Sequence, residues 1–272
     1  MVIRAIIMGT IQGLTEFAPV SSSGHLVAVP RLMGWPDPGL SFDVALHAGT
    51  LLAVLVYFRS DWLEVLKGFF SSFRARPSRW NHGQRLAWSL VLATVPAGLA
   101  GAALSGFFEN PMRSLGSVGG CLLFTGAIML VAEKLGSMKR GMEELNILDA
   151  ASVGLMQVLA LAPGISRSGI TISAGIFRGL KRESAARFSF LLSAPVIAGA
   201  GLKECLELLR GSGPSPGALS TLAGAGAAAV SGFFVIRFLL AYLKRKSLLP
   251  FALYCLAAGS ALWLLVILGG YS

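Results

Sequence analysis

The chain has 272 residues, of which 54% are hydrophobic and only 13% charged, against about a quarter charged in ordinary soluble domains. With a mean hydropathy of +0.71, this excludes a soluble globule and places the chain in a membrane. A net charge of +10 would suit a nucleic-acid binder, but the basic residues sit in short loops between apolar runs, where they set topology instead, so no nucleic-acid partner is expected.

The first segment, residues 5–26, is apolar at its ends and irregular in the middle, where Pro19 and Val20 are followed by Ser21, Ser22, Ser23, Gly24 and His25. The apolar run after Arg4 is broken by Gln12, Thr15, Glu16 and Pro19, so it is expected to stay in the mature protein and not to act as a cleaved signal. Leu40 to Phe58 reads as the first membrane span. A long basic loop follows, carrying Arg59, Lys67, Arg74, Arg76, Arg79 and Arg85. Leu86 to Phe107 and Leu115 to Val131 read as the next two spans. Residues 150–176 form a second irregular segment, with Pro163, Gly164, Ile165, Ser166, Arg167, Ser168 and Gly169 at its centre. Three further spans, Phe188 to Leu206, Leu219 to Leu240 and Leu249 to Leu268, complete the chain. Each span holds about 17–22 residues, which fits a hydrocarbon core of about 30 Å. The three cysteines, Cys121, Cys205 and Cys255, lie in apolar segments without disulfide or metal spacing.

Neither half of an irregular segment is long enough to cross alone. Irregular backbone at membrane depth is tolerated only when buried in protein or lining a cavity. Both segments therefore read as re-entrant hairpins. The expected fold is an all-α integral membrane protein, a single domain of six transmembrane helices plus two re-entrant helical hairpins. This count puts 17 of the 23 basic residues on one side, which the positive-inside rule makes cytoplasmic, with both termini outside. Arg4, Arg31, Arg113, Lys203 and Arg210 fall at the outer ends.

The two hairpins match at a constant offset. Gly9, Gln12, Leu14, Ser21, Ser23 and Gly24 correspond to Gly154, Gln157, Leu159, Ser166, Ser168 and Gly169, 145 residues on. Three crossings separate the copies, so the second is upside-down relative to the first. The expectation is an inverted repeat, approximately residues 1–135 and 145–272. Its hairpin tips should meet near the midplane, where helix N-termini suit an anion.

Glu16 lies four residues after Gln12, on the same helix face. A carboxylate at membrane depth costs about 2.5–3.5 kcal/mol, which makes it a functional candidate. Ser21, Ser22 and Ser23 supply hydroxyls that can cradle phosphate oxygens. His25 can act as base, acid or nucleophile. Arg167 brings a planar fork suited to phosphate, flanked by Ser166, Ser168 and Thr171. His47, in the first span, reads as a packing or cavity-lining residue. Asp61, Glu64, Glu143, Glu144 and Asp149 read as loop charges.

At these residues the sequence resembles the undecaprenyl-diphosphate phosphatase family of the bacitracin-resistance type. The stretch from Gln12 to His25 is similar to its first signature, an E/Q-x-x-x-E pattern running into a Ser-rich turn and a His. The stretch from Pro163 to Thr171 is similar to its second, PGxSRSxxT. The resemblance implies an inner-membrane enzyme of bacteria that converts an isoprenyl diphosphate lipid to its monophosphate, recycling the carrier for cell-wall synthesis. It also implies bacitracin resistance, a divalent cation such as Mg2+ or Ca2+, and an active site facing the outer, periplasmic side. The family roles fall on Glu16, Ser22, His25 and Arg167 as catalytic residues, with Ser166 and Thr171 beside them; Gln12, Ser21, Ser23 and Ser168 join these as substrate-binding candidates. Gln12 is the neutral option of the pattern, which leaves Glu16 as the main metal candidate. Ser22, His25 and water are all open as nucleophile, with Ser22 preferred because it lies three residues before His25 near the turn tip. A homo-oligomer is left open as well. The alternative expectation is a secondary transporter or flippase of a phosphorylated lipid, since inverted repeats with broken helices are typical of transporters.

Overall fold

The structure, a computed structural model, describes residues 1–36, 39–109, 114–210 and 217–269. Arg113, one of the expected outer charges, lies outside the described residues. Among these residues every regular element is helical. The helices in chain order are α1 (Val2–Phe17), α2 (Ser22–Leu32), α3 (Leu40–Tyr57), α4 (Arg59–Ser72), α5 (His82–Glu109), α6 (Leu115–Leu135), α7 (Ile147–Gln157), α8 (Arg167–Phe177), α9 (Arg182–Arg210), α10 (Ala218–Leu243) and α11 (Leu249–Ile267). Five of them, α5, α6, α9, α10 and α11, contain stretches long and apolar enough to cross a membrane. Large apolar side chains such as Leu99, Val131, Leu222, Phe234 and Trp263 are exposed on them, as lipid-facing surfaces require.

The expected first span falls on α3, 18 residues long, which continues into α4 across a bend of 82° at Phe58, so that the pair reads as one broken span or a re-entrant loop. The expected basic loop is therefore largely a helix. Val65, Gly68 and Ser72 form the buried face of α4; Gly68 lies so close to Gly83 on α5 that a Cβ would fall 2.5 Å from its backbone. Leu63, Leu66, Phe70 and Phe73 are exposed.

Both irregular segments break where the sequence suggests. Helix α1 stops at Ala18, which is extended at φ −61, ψ 137 because the residue before a proline is pushed out of the helical region. The chain then turns through Ser21, a non-glycine residue at φ 71, which caps α2 by accepting from the Gly24 N–H at 3.1 Å. In the second segment α7 runs into a short 3-10 turn, Val158–Leu161. Gly164 takes up the left-handed backbone at φ 96, and Ser166 caps α8 by accepting from the Gly169 N–H at 3.1 Å.

Small residues let these segments sit deep in the bundle. A Cβ on Gly9 would fall 2.0 Å from the Gly224 carbonyl oxygen, and one on Gly13 2.4 Å from that of Ala228. Helix α1 thus packs backbone to backbone on α10, in the manner of small-residue seams between membrane helices. Phe17, at its end, meets Phe190 of α9 edge to face with ring centroids 5.6 Å apart. Each hairpin tip is held by a neighbouring long helix. The Ser166 N–H donates to Thr125 Oγ1 at 3.2 Å, and Thr125 is the central residue of α6. The Pro19 carbonyl accepts from Cys255 Sγ of α11 at 3.4 Å.

Asp149 is no solvated loop charge. It is fully buried and takes Arg140 Nη2 at 2.6 Å, Arg178 Nε at 3.0 Å and the Asn146 N–H at 3.0 Å. The contacts tie the start of α7 to the end of α8 and so close the base of the second hairpin. Burial opposes its ionisation, but the Arg140, Asn146 and Arg178 hydrogen bonds outweigh that and hold its carboxyl below the usual range. Such a group contributes stability above the ordinary carboxylate pKa and loses it as the pH falls through the lowered one. Asp149→Ala should destabilise the protein by about 2–3 kcal/mol, less than a fully buried pair because both arginines are partly exposed. Thermal unfolding in detergent would show the deficit at pH 7 and its shrinkage in acid.

Candidate active site

The two hairpin tips bring together residues far apart in the chain. Arg167 is the first residue of α8 and Ser22 the first of α2, so each sits at a helix N-terminus, the positive end of the dipole. Arg167 Nη2 donates to Glu16 Oε1 at 2.9 Å, and its Nη1 donates to the Ser189 carbonyl of α9 at 3.2 Å. The other carboxylate oxygen, Glu16 Oε2, accepts from Ser22 Oγ at 2.6 Å and from Gln12 Nε2 at 3.1 Å. Gln12, Glu16, Ser22 and Arg167 therefore form one connected cluster. Glu16 and Gln12 are buried, while Ser22 remains partly open.

The other expected residues divide by role. Ser23 Oγ accepts from the Gly164 N–H at 3.2 Å, and Ser168 Oγ donates to the Ala18 carbonyl at 3.1 Å; each fastens one tip to the other. Ser21 and Ser166 are the two caps. Their hydroxyls lie 3.3 Å from Ser23 Oγ and 3.2 Å from Ser168 Oγ respectively, so the two turns repeat the same local bonds. Thr171 Oγ1 lies 2.6 Å from Ser189 Oγ and donates to the Arg167 carbonyl at 2.8 Å, bracing the start of α8.

His25 stands apart from this cluster. Its Nδ1 is 2.7 Å from the Ser21 carbonyl, and its Nε2 is 2.6 Å from the Tyr254 hydroxyl of α11. Both ring nitrogens are engaged, neither with Ser22. The Ser21 carbonyl is also the acceptor of the His25 N–H at 3.3 Å, and Ser21 itself holds a positive φ, a rare conformation of the kind that concentrates at functional sites.

Three contributors were not singled out as site residues from the sequence. Thr125, Ser189 and Tyr254 are polar groups inside apolar spans, and that isolation was the only available signal. His47, read as packing or cavity lining, has Nδ1 2.8 Å from the Asp43 carbonyl of its own helix.

Among the described residues there is no group of three or more His, Cys, Asp and Glu able to hold a metal. One feature nevertheless fits an ion. Gln12 Oε1 is buried without a hydrogen-bond partner, beside the Glu16 carboxylate. Two protein oxygens of this kind suit Mg2+, which is usually held by one or two protein groups together with substrate phosphates and water.

Comparison with known proteins gives a consistent result. Residues 5–261 match the family described as bacitracin resistance protein BacA. A protein of Thermomicrobium roseum named undecaprenyl-diphosphatase is 43% identical, with 97% of each chain covered. Proteins of the same name from Geobacter metallireducens, 42% identical over 97% of this chain and 98% of the relative, and from Rubrobacter xylanophilus, 44% identical over 98% of both, match as well.

Proposed function

The chain belongs to the bacitracin resistance protein BacA family, and we propose from that premise that it hydrolyses undecaprenyl diphosphate to the monophosphate and inorganic phosphate. The observation that carries the reading into chemistry is the Ser22–Glu16–Arg167 connection between the hairpins. A hydroxyl, a proton acceptor and a fixed cation within hydrogen-bond reach are the parts phosphoryl transfer requires.

In this reading Ser22 Oγ attacks the terminal phosphorus and its proton passes to Glu16 Oε2. The bond from that phosphorus to the bridging oxygen breaks, and undecaprenyl monophosphate leaves with that proton, returning Glu16 to its carboxylate. Water, giving a proton to Glu16, then attacks the phosphoryl group on Ser22; the phosphorus–Oγ bond breaks, Ser22 Oγ takes the proton back from Glu16, and inorganic phosphate is freed. Arg167 divides its guanidinium between Glu16 and the transferring phosphoryl oxygens, while the N-termini of α2 and α8 add positive dipole ends. Gln12 and Glu16 would hold a divalent cation such as Mg2+ or Ca2+, which would supply charge neutralisation. The serine assignment rests on the bond to Glu16. A base role for His25 toward Ser22 is disfavoured because both its nitrogens are taken.

The same reading takes residues 1–135 and 145–272 as inverted copies, supported by the like bonds at Ser21 and Ser166. It places the protein in the bacterial inner membrane with the site open to the outer side, supported by the basic loops. The transporter alternative is not favoured, since the relatives are named for hydrolysis. Purified protein in detergent, without any gradient, should release phosphate from undecaprenyl diphosphate, and removing divalent cations with chelator should stop it. No release with cation present would overturn the proposal.

A further inference from the structure

His25 presents a geometric problem for any role in turnover, and its solution points to a residue outside both signatures. A carbonyl oxygen only accepts, so the 2.7 Å contact to Ser21 puts the proton on Nδ1. In the neutral ring Nε2 then carries the lone pair, and it accepts from the Tyr254 hydroxyl at 2.6 Å. The two rings are also nearly parallel, 11° apart in plane with centroids 5.8 Å apart. The phenol therefore fixes the tautomer of the ring and its orientation. A ring nitrogen's tautomer is set by the bond its partner nitrogen makes. Here the bonds come from opposite sides, one from the α2 cap and one from α11.

The place of the pair matters as much as its geometry. Tyr254 is 45% exposed on the outside of the bundle, while the next residue, Cys255, is buried against Pro19 of the first hairpin tip. The imidazole is partly open and stands one turn of α2 from Ser22.

We infer that Tyr254 is a positioning residue for His25, holding the imidazole in one tautomer and one orientation a single helical turn from Ser22. The inference rests on the hydrolase reading above and adds to it a residue of α11 that neither signature contains. Tyr254 acts through the imidazole and takes no bond to Glu16, Arg167 or Ser22.

The test combines kinetics with a measurement that needs no turnover. The chain has three histidines, His25, His47 and His82, so the nitrogen spectrum of 15N-histidine-labelled protein is assignable by single substitution. Tyr254→Phe keeps the ring and removes the hydroxyl. It should move the His25 Nε2 resonance and leave those of His82 in place. It should lower kcat about tenfold, a fraction of what a general acid–base group contributes, with KM nearly unchanged. In a His25→Ala background the same change should cost nothing further, as for two residues acting as one unit. A multiplicative loss in the double variant, an unmoved His25 resonance, or a Tyr254→Phe protein that is no longer monodisperse would overturn the inference. If the wild type fails to hydrolyse undecaprenyl diphosphate, the function reading falls, and the His25 resonance alone still decides whether Tyr254 orients the ring.

Discussion

Replacing Arg167 with alanine should lower phosphate release by about a thousandfold, the upper end of what one preorganised electrostatic donor is worth. The guanidinium carries two duties: Nη2 holds Glu16 and Nη1 holds the Ser189 carbonyl of α9. In the proposed mechanism its loss removes the fixed cation for the transferring phosphate, and it strips Glu16 of its ion partner. The carboxylate is only 7% exposed, and leaving such a charge unpaired costs about 3–5 kcal/mol. The variant should therefore also unfold at a lower temperature. Lysine should restore little, because one ammonium cannot reproduce a fork that reaches two acceptors at once. Steady-state phosphate release, normalised to monodisperse protein, separates the catalytic loss from the loss of stability. Turnover within threefold of wild type would remove Arg167 from the chemistry.

Glu16→Gln should have an effect of similar size with a different signature. The amide keeps the side-chain volume, its one oxygen can still accept from Arg167, and its NH2 can donate to the Ser22 hydroxyl in place of the bond it received, so the bundle should remain folded. It cannot take a proton from Ser22, and the rate should fall by about 10²–10⁴. Intact-protein mass after rapid quenching tells the routes apart. Wild type should show transient phosphate on Ser22, and the glutamine variant should show none. Phosphate found on His25 would instead assign attack to the imidazole, and an unmodified wild type would favour direct attack by water.

Much of this arrangement was legible in the order of residues. Pro19 and Pro163, each followed by a Ser-x-Ser-Gly turn, marked breaks that the backbone obeys. The i, i+4 spacing of Gln12 and Glu16 put both on one face, where they hydrogen-bond. Two opposite charges at membrane depth have few ways to be satisfied other than by each other, and Glu16 pairs with Arg167. What stayed hidden has equally physical reasons. The bend at Phe58 has no proline or glycine to announce it; it arises where the amphipathic face of α4 turns onto α5. Asp149 looked like one of several loop carboxylates because its partners, Arg140 and Arg178, approach through tertiary contacts. The direction of His25 depends on the Tyr254 hydroxyl, a tertiary contact that local sequence does not announce. Tyr254, 229 residues further on, reads within α11 as one more aromatic group in an apolar run.

The suspension of both turns from α6 and α11 has a consequence for traffic. A polyprenyl carrier keeps its charged end hydrated, whereas the side chains of Arg167 and Glu16 are only 12% and 7% exposed. A diphosphate that reaches them exchanges water for fixed protein donors, and on the proposed reading entry and exit, as well as bond cleavage, set how fast each carrier molecule is returned to service.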